Sequence, residues 1–385
     1  MPSQPDQKSR KILIAIILAG VVLRLALAAI SLGTNDVLNF GEIATHVNQV
    51  GLIETYRTDP LLNHPPLPVL WRQLAWQLHS QYWFAFLTKL PAIAADAGSC
   101  WLLAKILKDH RVQAVAAMAF SPIAILISGY HCNTDNIYAF FSLLSMYFIA
   151  SDLRFFLAGL ALAAAINIKL IPLLLIPIAF SFCRNKRDAG RLLAGLAIGV
   201  IPFLPLLAAA DAIVNNMLNY SSWVSEWGIP LFLHDIFKHP PFAQTAHTLM
   251  QAYLTAGKMA IIAAILLMSL ISWLWRLWTP YQLATLAYAT FLVLTPGFGP
   301  QYLVMIVPLL LTVDIARSWM FGIFAGMFLL LAYWSRLVSY EIPLRTLFPP
   351  DSPTPPGSPF GLIAWFVLLE MIVSLIRPPT KSASR

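Results

Sequence analysis

Charged residues are scarce in this sequence. Only 11% of its 385 residues are Asp, Glu, Lys or Arg, whereas about 25% is usual in a soluble globular domain. A soluble chain of this length would need many more charges on its surface. The shortage excludes an ordinary soluble domain, and the mean hydropathy of +0.72 indicates a protein whose outer surface contacts lipid.

Acidic residues are fewer than basic residues: the sequence has 17 Asp and Glu but 25 Lys and Arg. A basic balance can mark a nucleic-acid-binding protein, but here the distribution is typical of cytosolic membrane loops. We therefore predict cytosolic termini and no nucleic-acid partner. Most cations fall in short connections or termini on one predicted side: Lys8, Arg10, Lys11, Lys105, Lys108, Arg111, Arg154, Arg184, Lys186, Arg187, Arg191, Arg276, Arg317, Arg377, Lys381 and Arg385.

Cysteine is also rare. The three cysteines, Cys100, Cys132 and Cys183, are far apart in the chain. Their spacing fits neither a disulfide framework nor a zinc site. We interpret them as small apolar side chains.

Long apolar runs dominate what is present. They predict an all-α, polytopic transmembrane bundle of about twelve spans, with both termini cytosolic and residues 1–385 forming a single membrane domain. Segment 155–183 has two interpretations, two short helices or one re-entrant hairpin with Lys169 and Pro172 near its tip. The predicted spans are 12–32, 83–107, 111–129, 136–151, 155–168, 170–183, 190–210, 257–276, 280–295, 302–316, 318–335 and 359–376.

Three long loops, 33–82, 211–256 and 336–358, are predicted on the outer side. Loops longer than about 12–15 residues are usually functional or disordered. The first two contain aromatic, acidic and histidine residues, including Trp223, Trp227, Asp235, His239 and His247 in the second. We interpret these two as functional.

Two acids are predicted to reach the same outer face. Asp36 follows the first span, where an ionised carboxylate could act as a general base; alternatively it caps the amphipathic stretch 41–50. Asp135 lies in the polar turn 128–136, which also contains His131. Paired carboxylates can share acid and base roles, although Asp is also common in plain turns.

Further polar groups interrupt the apolar pattern. His64 precedes Pro65 and Pro66, which would rigidify an extended stretch or simply punctuate a loop. Lys169 lies in an apolar segment, where it could bind a lipid phosphate or snorkel to the headgroups. The break 297–302 presents Gln301 and Tyr302, or is a plain interhelical turn.

Arg24 and Asp96 lie within the first two spans, at similar distances from the outer face. Unpaired charge is expensive at that depth. We therefore predict a structural ion pair between them.

Several of these segments recur in one order that resembles a known enzyme group. They include Asn35-Asp36, Asn63-His64-Pro65-Pro66, Lys89-Leu90-Pro91-Ala92 with Asp96, Gly129 to Asp135, Ile168-Lys169-Leu170-Ile171-Pro172, Trp227-Gly228 and Gly299-Pro300-Gln301-Tyr302. Over nearly the whole chain, the set resembles GT-C membrane glycosyltransferases. Within that superfamily it is most similar to the polyprenyl-phosphate-mannose-dependent mannosyltransferases of bacterial family 87.

The resemblance implies a GT-C-like bundle with a lipid-facing groove on the outer side. It implies a lipid-linked sugar donor and a hydroxyl acceptor on a glycan, glycolipid or protein, and it favours the periplasmic or exterior face of a bacterial plasma membrane. Our hypothesis for the mechanism is direct transfer with inversion. Asp36 occupies the position of the family's catalytic base and Asp135 that of a second-loop acid. Substrate binding is expected from five further residues: His64, His131, Lys169, Gln301 and Tyr302.

One departure concerns metal. Many members of the family have two adjacent acids after the first helix, whereas the first position here is Asn35. A single carboxylate makes a poor site for a hard divalent cation. We therefore predict no metal and no cofactor.

Two other functions remain open. A transporter or lipid flippase could use Arg24, Asp96, Asp135 and Lys169 as a translocation path, although transporters often show internal repeats and none is evident here. A non-catalytic assembly subunit would fit if Asp36 and Asp135 were dispensable.

Overall fold

The structure is a computed structural model that describes residues 7–34, 36–220, 222, 227–236, 243–334 and 358–377. Within these ranges the secondary structure is helical and contains no strand, which confirms the all-α prediction for this part of the chain. The α-helices are α1 Gln7–Ile30, α2 Asp36–Val50, α3 Leu52–Thr58, α4 Pro66–Trp76, α5 Gln81–Ile106, α6 Arg111–Ala119, α7 Pro122–Ile125, α8 Asp135–Asp152, α9 Phe155–Ile166, α10 Ile176–Ser181, α11 Lys186–Gly199, α12 Ala210–Ile213, α13 Gly228–Leu231, α14 Ala243–Trp275, α15 Pro280–Leu294, α16 Val307–Val313, α17 Ile315–Trp334 and α18 Ser358–Ile376.

Distorted helical turns connect several of these helices. Segments Ile171–Leu175, Ile201–Ala209 and Pro300–Ile306 are 3-10 helices, each with a proline in its first two positions. The segment Leu126–His131 is a π-helical turn. Proline removes a backbone donor and disfavours the α conformation before it, which explains why the 3-10 segments interrupt longer apolar runs.

Six helical segments are long and apolar enough to cross a membrane. This length and composition mark a membrane protein, because a span needs about 20 predominantly apolar residues. The number of about twelve spans stays a prediction, since segments such as α9 and α15 are shorter. The six are Gln7–Ile30, Arg111–His131, Ile201–Leu218, Ala243–Trp275, Ile315–Tyr333 and Pro359–Ile376.

The predicted outer loops contain helices. Loop 33–82 folds into α2, α3 and α4, and the extended stretch predicted after His64 is wrong because Pro66 begins α4. Proline suits the first turn of a helix, where its missing N–H needs no partner. In the second loop, α14 already begins at Ala243. Residues 335–357, and with them nearly all of loop 336–358, lie outside the described residues, as do Trp223, His239 and the side chain of Asp235.

Segment 155–183 forms two short helices, α9 and α10, with a reversal between them at residues 167–170. Helix α9 packs lengthwise and parallel to α11, since Gly159 lies against Gly195 and Ala163 against Gly199. The segment that connects α9 to α11, which includes α10, must therefore run in the opposite direction to both helices. This reversal places Lys169 at the same end of the bundle as the start of α8.

The end of the bundle opposite Lys169 and the start of α8 is rich in Lys and Arg. At this end, Arg276 donates to the Ser181 carbonyl oxygen over 2.7 Å and Trp278 to the Leu375 carbonyl oxygen over 2.8 Å. We call it the basic end. It contains the turns that carry Lys105, Lys108, Arg111, Arg154, Arg184, Lys186, Arg187, Arg276, Arg317 and Arg377.

The close approach of α9 and α11 yields a testable prediction. A Cβ at Gly159 would lie 2.3 Å from the Leu192 carbonyl oxygen, so this backbone contact has no room for a methyl group. We expect Gly159→Ala to lower the free energy of unfolding in detergent by about 1–3 kcal/mol, the usual range for overpacking. Gly190→Ala is the matched control, because nothing lies within 4 Å of a Cβ there. Equal stability of the two variants would contradict the described packing.

Candidate functional site

Asp36 is the first residue of α2, and hydrogen bonds fix the turn before it. Gly33 has a φ of +116°, and a Cβ there would lie 2.7 Å from the Tyr130 carbonyl oxygen. Thr34 Oγ1 donates to the His131 carbonyl oxygen over 3.3 Å and accepts from the Asp36 backbone N–H over 3.4 Å. The start of α2 is therefore tied to the segment that carries His131.

That segment turns two side chains towards Asp36. It consists of the π-helical turn Leu126–His131 followed by Cys132, whose φ is +69°; π-helical turns are frequent at functional sites. His131 Nε2 lies 2.9 Å from Asp36 Oδ2, and Asn133 Nδ2 donates to the same oxygen over 3.4 Å. Because Oδ1 accepts no hydrogen bond from the described residues, it is available to a substrate.

Electrostatics keep Asp36 ionised. Burial acts to raise the pKa of its carboxyl group, but the hydrogen bond from His131 and the electrostatic influence of His131, His64 and Arg72 together lower the pKa to about 2. The carboxylate is therefore fully charged at neutral pH. It would accept a proton only from a hydroxyl made acidic by bond formation.

Asp135 and Lys169 form an ion pair where α8 begins and the turn after α9 ends. Lys169 Nζ donates to Asp135 Oδ1 over 2.8 Å and to Oδ2 over 3.0 Å. The Asp135 side chain is fully buried, and the Tyr138 hydroxyl donates to its Oδ2 over 3.4 Å. The Tyr302 ring centre lies 4.4 Å from Nζ. Asp135 is thus enclosed by its partners and reaches a substrate only through Lys169.

A cavity of about 310 Å³ opens beside this ion pair. Its polar wall contains four of the predicted substrate-binding residues, together with Asn63: His64, Lys169, Gln301 and Tyr302. Asp36 and the fifth predicted residue, His131, lie outside this wall. The rest of the wall is mainly apolar, with side chains that include Leu170, Leu174, Leu218, Ile261, Ile262 and Phe291.

His64 links the cavity to α2. Its Nδ1 lies 2.5 Å from Asn63 Oδ1, so Nδ1–H donates and Nε2 is left as an acceptor. Among the described residues Nε2 is buried without a partner. Burial, together with the charges of Arg72 and Lys169, lowers the pKa of His64 well below its usual value. The ring packs edge-on against Phe40, with centroids 5.5 Å apart.

Arg72 is a residue of the site that sequence reasoning missed. Its Cζ lies 3.3 Å from the centre of the Phe40 ring, and the residue is only 3% exposed. In the part of the chain that the structure describes, its guanidinium has no hydrogen bond or ion pair, and Nη2 is buried. Burial lowers the pKa of Arg72 to about 10, which still leaves it charged at neutral pH. Its position could be recognised from the sequence by helical spacing, because Arg72 follows Val69 by three residues and therefore lies on the same buried face of α4.

Lys89 is a second buried cation without a carboxylate partner among the described residues. Its Nζ donates to the Ser31 carbonyl oxygen over 2.6 Å and to the Ser31 hydroxyl over 3.2 Å. Ser31 directly follows the end of α1, where a positive charge is favourable. Lys89 thus holds the end of α1 shortly before Asp36.

Arg24 and Asp96, predicted as a structural pair, are in contact. Arg24 Nε donates to Asp96 Oδ2 over 2.7 Å, and both side chains are buried. Ser128 and Asn136 each donate to Asp96 over 2.7 Å. Ser128 lies within the turn that ends at His131, and Asn136 lies in the first turn of α8. The pair therefore anchors the turn to α1 and α5 and does not line the cavity.

No group of three or more His, Cys, Asp or Glu side chains in the described ranges could hold a metal ion. Asp36 and Asp135 each have their own partners, as given above. Independence from metal stays a prediction.

Comparisons with protein-family models and with curated sequences identify no relative. No protein-family model matches this chain, and no curated protein sequence matches it significantly. The functional argument therefore depends on the residues and their geometry.

Proposed function

We propose that this protein is an integral membrane glycosyltransferase that moves a sugar from a polyprenyl-phosphate carrier to a hydroxyl acceptor. The resemblance to family 87 suggests mannose as this sugar. One observation carries the proposal: the ionised carboxylate of Asp36 is close enough to act on His64, and His64 lines a cavity that is polar on one wall and apolar on the rest. A lipid-linked sugar has the same division, with a polar head and a hydrocarbon chain. The acceptor would be a glycan, glycolipid or protein.

The charge distribution supports an outward-facing site. The basic end of the bundle carries the cations of the short connections, and such connections are cytosolic in most membrane proteins. Asp36 and the cavity lie at the opposite end. We therefore place the reaction at the outer face of a bacterial plasma membrane, as the family resemblance also implies.

The proposed reaction is a direct transfer with inversion. Asp36 Oδ1 takes the proton of the acceptor hydroxyl while that oxygen forms a bond to the anomeric carbon. The bond between the anomeric carbon and the phosphate oxygen breaks, and its electron pair leaves with the polyprenyl phosphate. A carbon already activated by phosphate needs no covalent enzyme intermediate, so one base and a stabilised leaving group are sufficient.

Other residues of the cavity would bind the sugar. His64 Nε2, as an unpartnered acceptor, can receive a hydrogen bond from a sugar hydroxyl. Gln301 can donate and accept from the same wall, while Tyr302 offers its ring beside Lys169. Asp135 is then a positioning residue, because both of its oxygens hold the Lys169 ammonium group.

The test is sugar transfer by the purified protein in nanodiscs. Radiolabelled polyprenyl-phosphate-mannose, and the glucose and arabinose equivalents, would be supplied with a host lipid extract. Label moving to a new product would support the proposal. Absence of transfer from all three donors by folded protein would contradict it and favour transport of a lipid or solute.

The contact between His131 and Asp36 predicts a change in pH dependence. Asp36 acts as a base only when ionised, and its pKa of about 2 places the acid limb of kcat/KM below the usual assay range. His131→Ala removes the hydrogen bond and the charge that lower this pKa, while the burial that raises it remains. We expect the acid limb to move upward into the measurable range.

His131→Gln is the matched control, because its amide can still donate to Asp36 Oδ2. Its acid limb should move less than that of His131→Ala. Identical pH profiles for wild type and both variants would show that His131 does not control the ionisation of Asp36.

A further inference from the structure

Three cations lie on or near the wall of the cavity, and among the described residues only Lys169 has a carboxylate partner. Lys258 is partly exposed and donates to the carbonyl oxygens of Leu218 and Tyr220. Lys169 is held by both oxygens of Asp135, at 2.8 Å and 3.0 Å, so its charge is already balanced. Arg72 has no ion pair or hydrogen bond within the described ranges and contacts the Phe40 ring instead. An unpaired buried charge is expensive. Asp36 and Asp135 act on Arg72 from a distance, but no carboxylate contacts it within the described ranges. Its N–H donors are therefore available to a further anion, whereas the Lys169 ammonium group already contacts a carboxylate.

Arg72 is also near the proposed reaction centre, although it is not one of the residues that line the cavity. Its charge acts on Asp36 and on His64, so it is close to both the candidate base and the polar wall of the cavity. Arg72 and His64 contact the same ring, Phe40. In a direct transfer, the acceptor oxygen, the anomeric carbon and the leaving phosphate are adjacent, so the anion cannot be far from the base.

The guanidinium group suits this task. It presents N–H donors in a planar fork that matches two oxygens of a phosphate. The Phe40 ring stacks against it at 3.3 Å and so fixes the plane of the fork before a ligand arrives. Such preorganisation reduces the cost of ordering the side chain on binding.

We propose that Arg72, and not Lys169, binds the phosphate of the polyprenyl-phosphate donor. This inference rests on the proposed function and names the residue that stabilises its leaving group. Lys169 then contributes to the sugar-binding wall, with its charge balanced by Asp135. The phosphate would supply the ion pair and the hydrogen bonds that Arg72 lacks among the described residues.

The test compares binding of two lipids that differ only in phosphate. Affinities for polyprenyl phosphate and for the matching polyprenol are measured in nanodiscs of zwitterionic lipid, with wild type, Arg72→Met and Lys169→Met. Wild type should prefer the phosphate by about 10- to 100-fold, the effect of a charge-assisted hydrogen-bonded pair. Arg72→Met should lose this preference, whereas Lys169→Met should keep it.

Retained preference in Arg72→Met, or its loss only in Lys169→Met, would overturn the assignment. Two competitors separate the possible sources of the phosphate group. Displacement of the polyprenyl phosphate by inorganic phosphate, or by anionic phospholipid at equal concentration, would exclude a donor-specific site. If Arg72→Met does not fold, Arg72→Gln and Arg72→Lys give the same comparison, and only the lysine variant should retain part of the preference.

Binding and transfer can fail separately in this design. A phosphate preference that depends on Arg72 in a protein without sugar transfer would contradict the proposed function and preserve the anion site. In the other outcome, the wild type transfers sugar and Arg72→Met keeps the same phosphate preference as the wild type. That outcome would support the proposed function but show that Arg72 does not bind the phosphate.

Discussion

Asp36→Asn is expected to lower the rate of sugar transfer by about 100- to 10,000-fold, the usual contribution of a general base. The amide has nearly the same shape as the carboxylate but cannot take up the proton of the acceptor. Its oxygen can still accept the hydrogen bond from His131 Nε2, which lies 2.9 Å from the present Oδ2. The loss should therefore concern chemistry and not folding.

The measurement is initial transfer of labelled sugar in nanodiscs, with thermal unfolding of each variant as the check on folding. Glu42→Gln is a matched control on the same helix, because Glu42 is exposed and has no part in the proposed reaction. It should retain close to the wild-type rate. If Asp36→Asn transferred sugar as fast as Glu42→Gln, Asp36 would not be the base.

Part of this site can be predicted from the sequence because membrane segments are apolar, whereas the residues at their ends are polar. The apolar runs place helices correctly in most of the chain, and the positions of Asp36 and Asp135 near the ends of such runs predict one shared face. The contact of Asp36 with His131 is not predictable in this way. It depends on the π-helical turn 126–131 and on the positive φ of Cys132, and neither has a distinctive sequence signal.

Arg72 shows a second limit of sequence reasoning. The sequence predicts loops for the outer segments, and a cation in a loop is ordinarily solvated. Only when 66–76 folds as a helix does Arg72 share the buried face with Val69 and Ala75. The partner of Asp135 shows the same limit, because Lys169 reaches it only through the reversal between α9 and α10.

Helix breaks were also hard to place from periodicity. Residues 190–210 read as one apolar run, but α11 ends at Gly199 and a 3-10 segment with Pro202 follows. Proline costs a helix about 3 kcal/mol in its interior, yet Pro91 is accommodated inside α5. Tertiary packing decides which of these prolines interrupts a helix.

Loss of the Arg24–Asp96 pair is expected to have the largest effect on stability. Arg24 is 1% exposed and Asp96 2% exposed, and Asp96 also accepts hydrogen bonds from Ser128 and Asn136, which lie before and after His131 in the chain. Arg24→Met leaves the carboxylate buried without its cation. Removing one partner of a buried pair typically costs about 3–5 kcal/mol, so this variant should unfold far more easily in detergent.

Two comparisons make this stability prediction specific to the buried pair. Arg317→Met removes a cation that pairs with both Asp314 and Glu370 at a more exposed position, where the side chains are 32%, 25% and 56% exposed. This variant should cost about 1 kcal/mol or less. The double variant Arg24→Met with Asp96→Asn removes both charges, so its loss should be smaller than the sum of the two single losses. The free energy of unfolding in mixed micelles measures all four variants. Strict additivity of the two changes, or equal effects of Arg24→Met and Arg317→Met, would contradict a coupled buried pair.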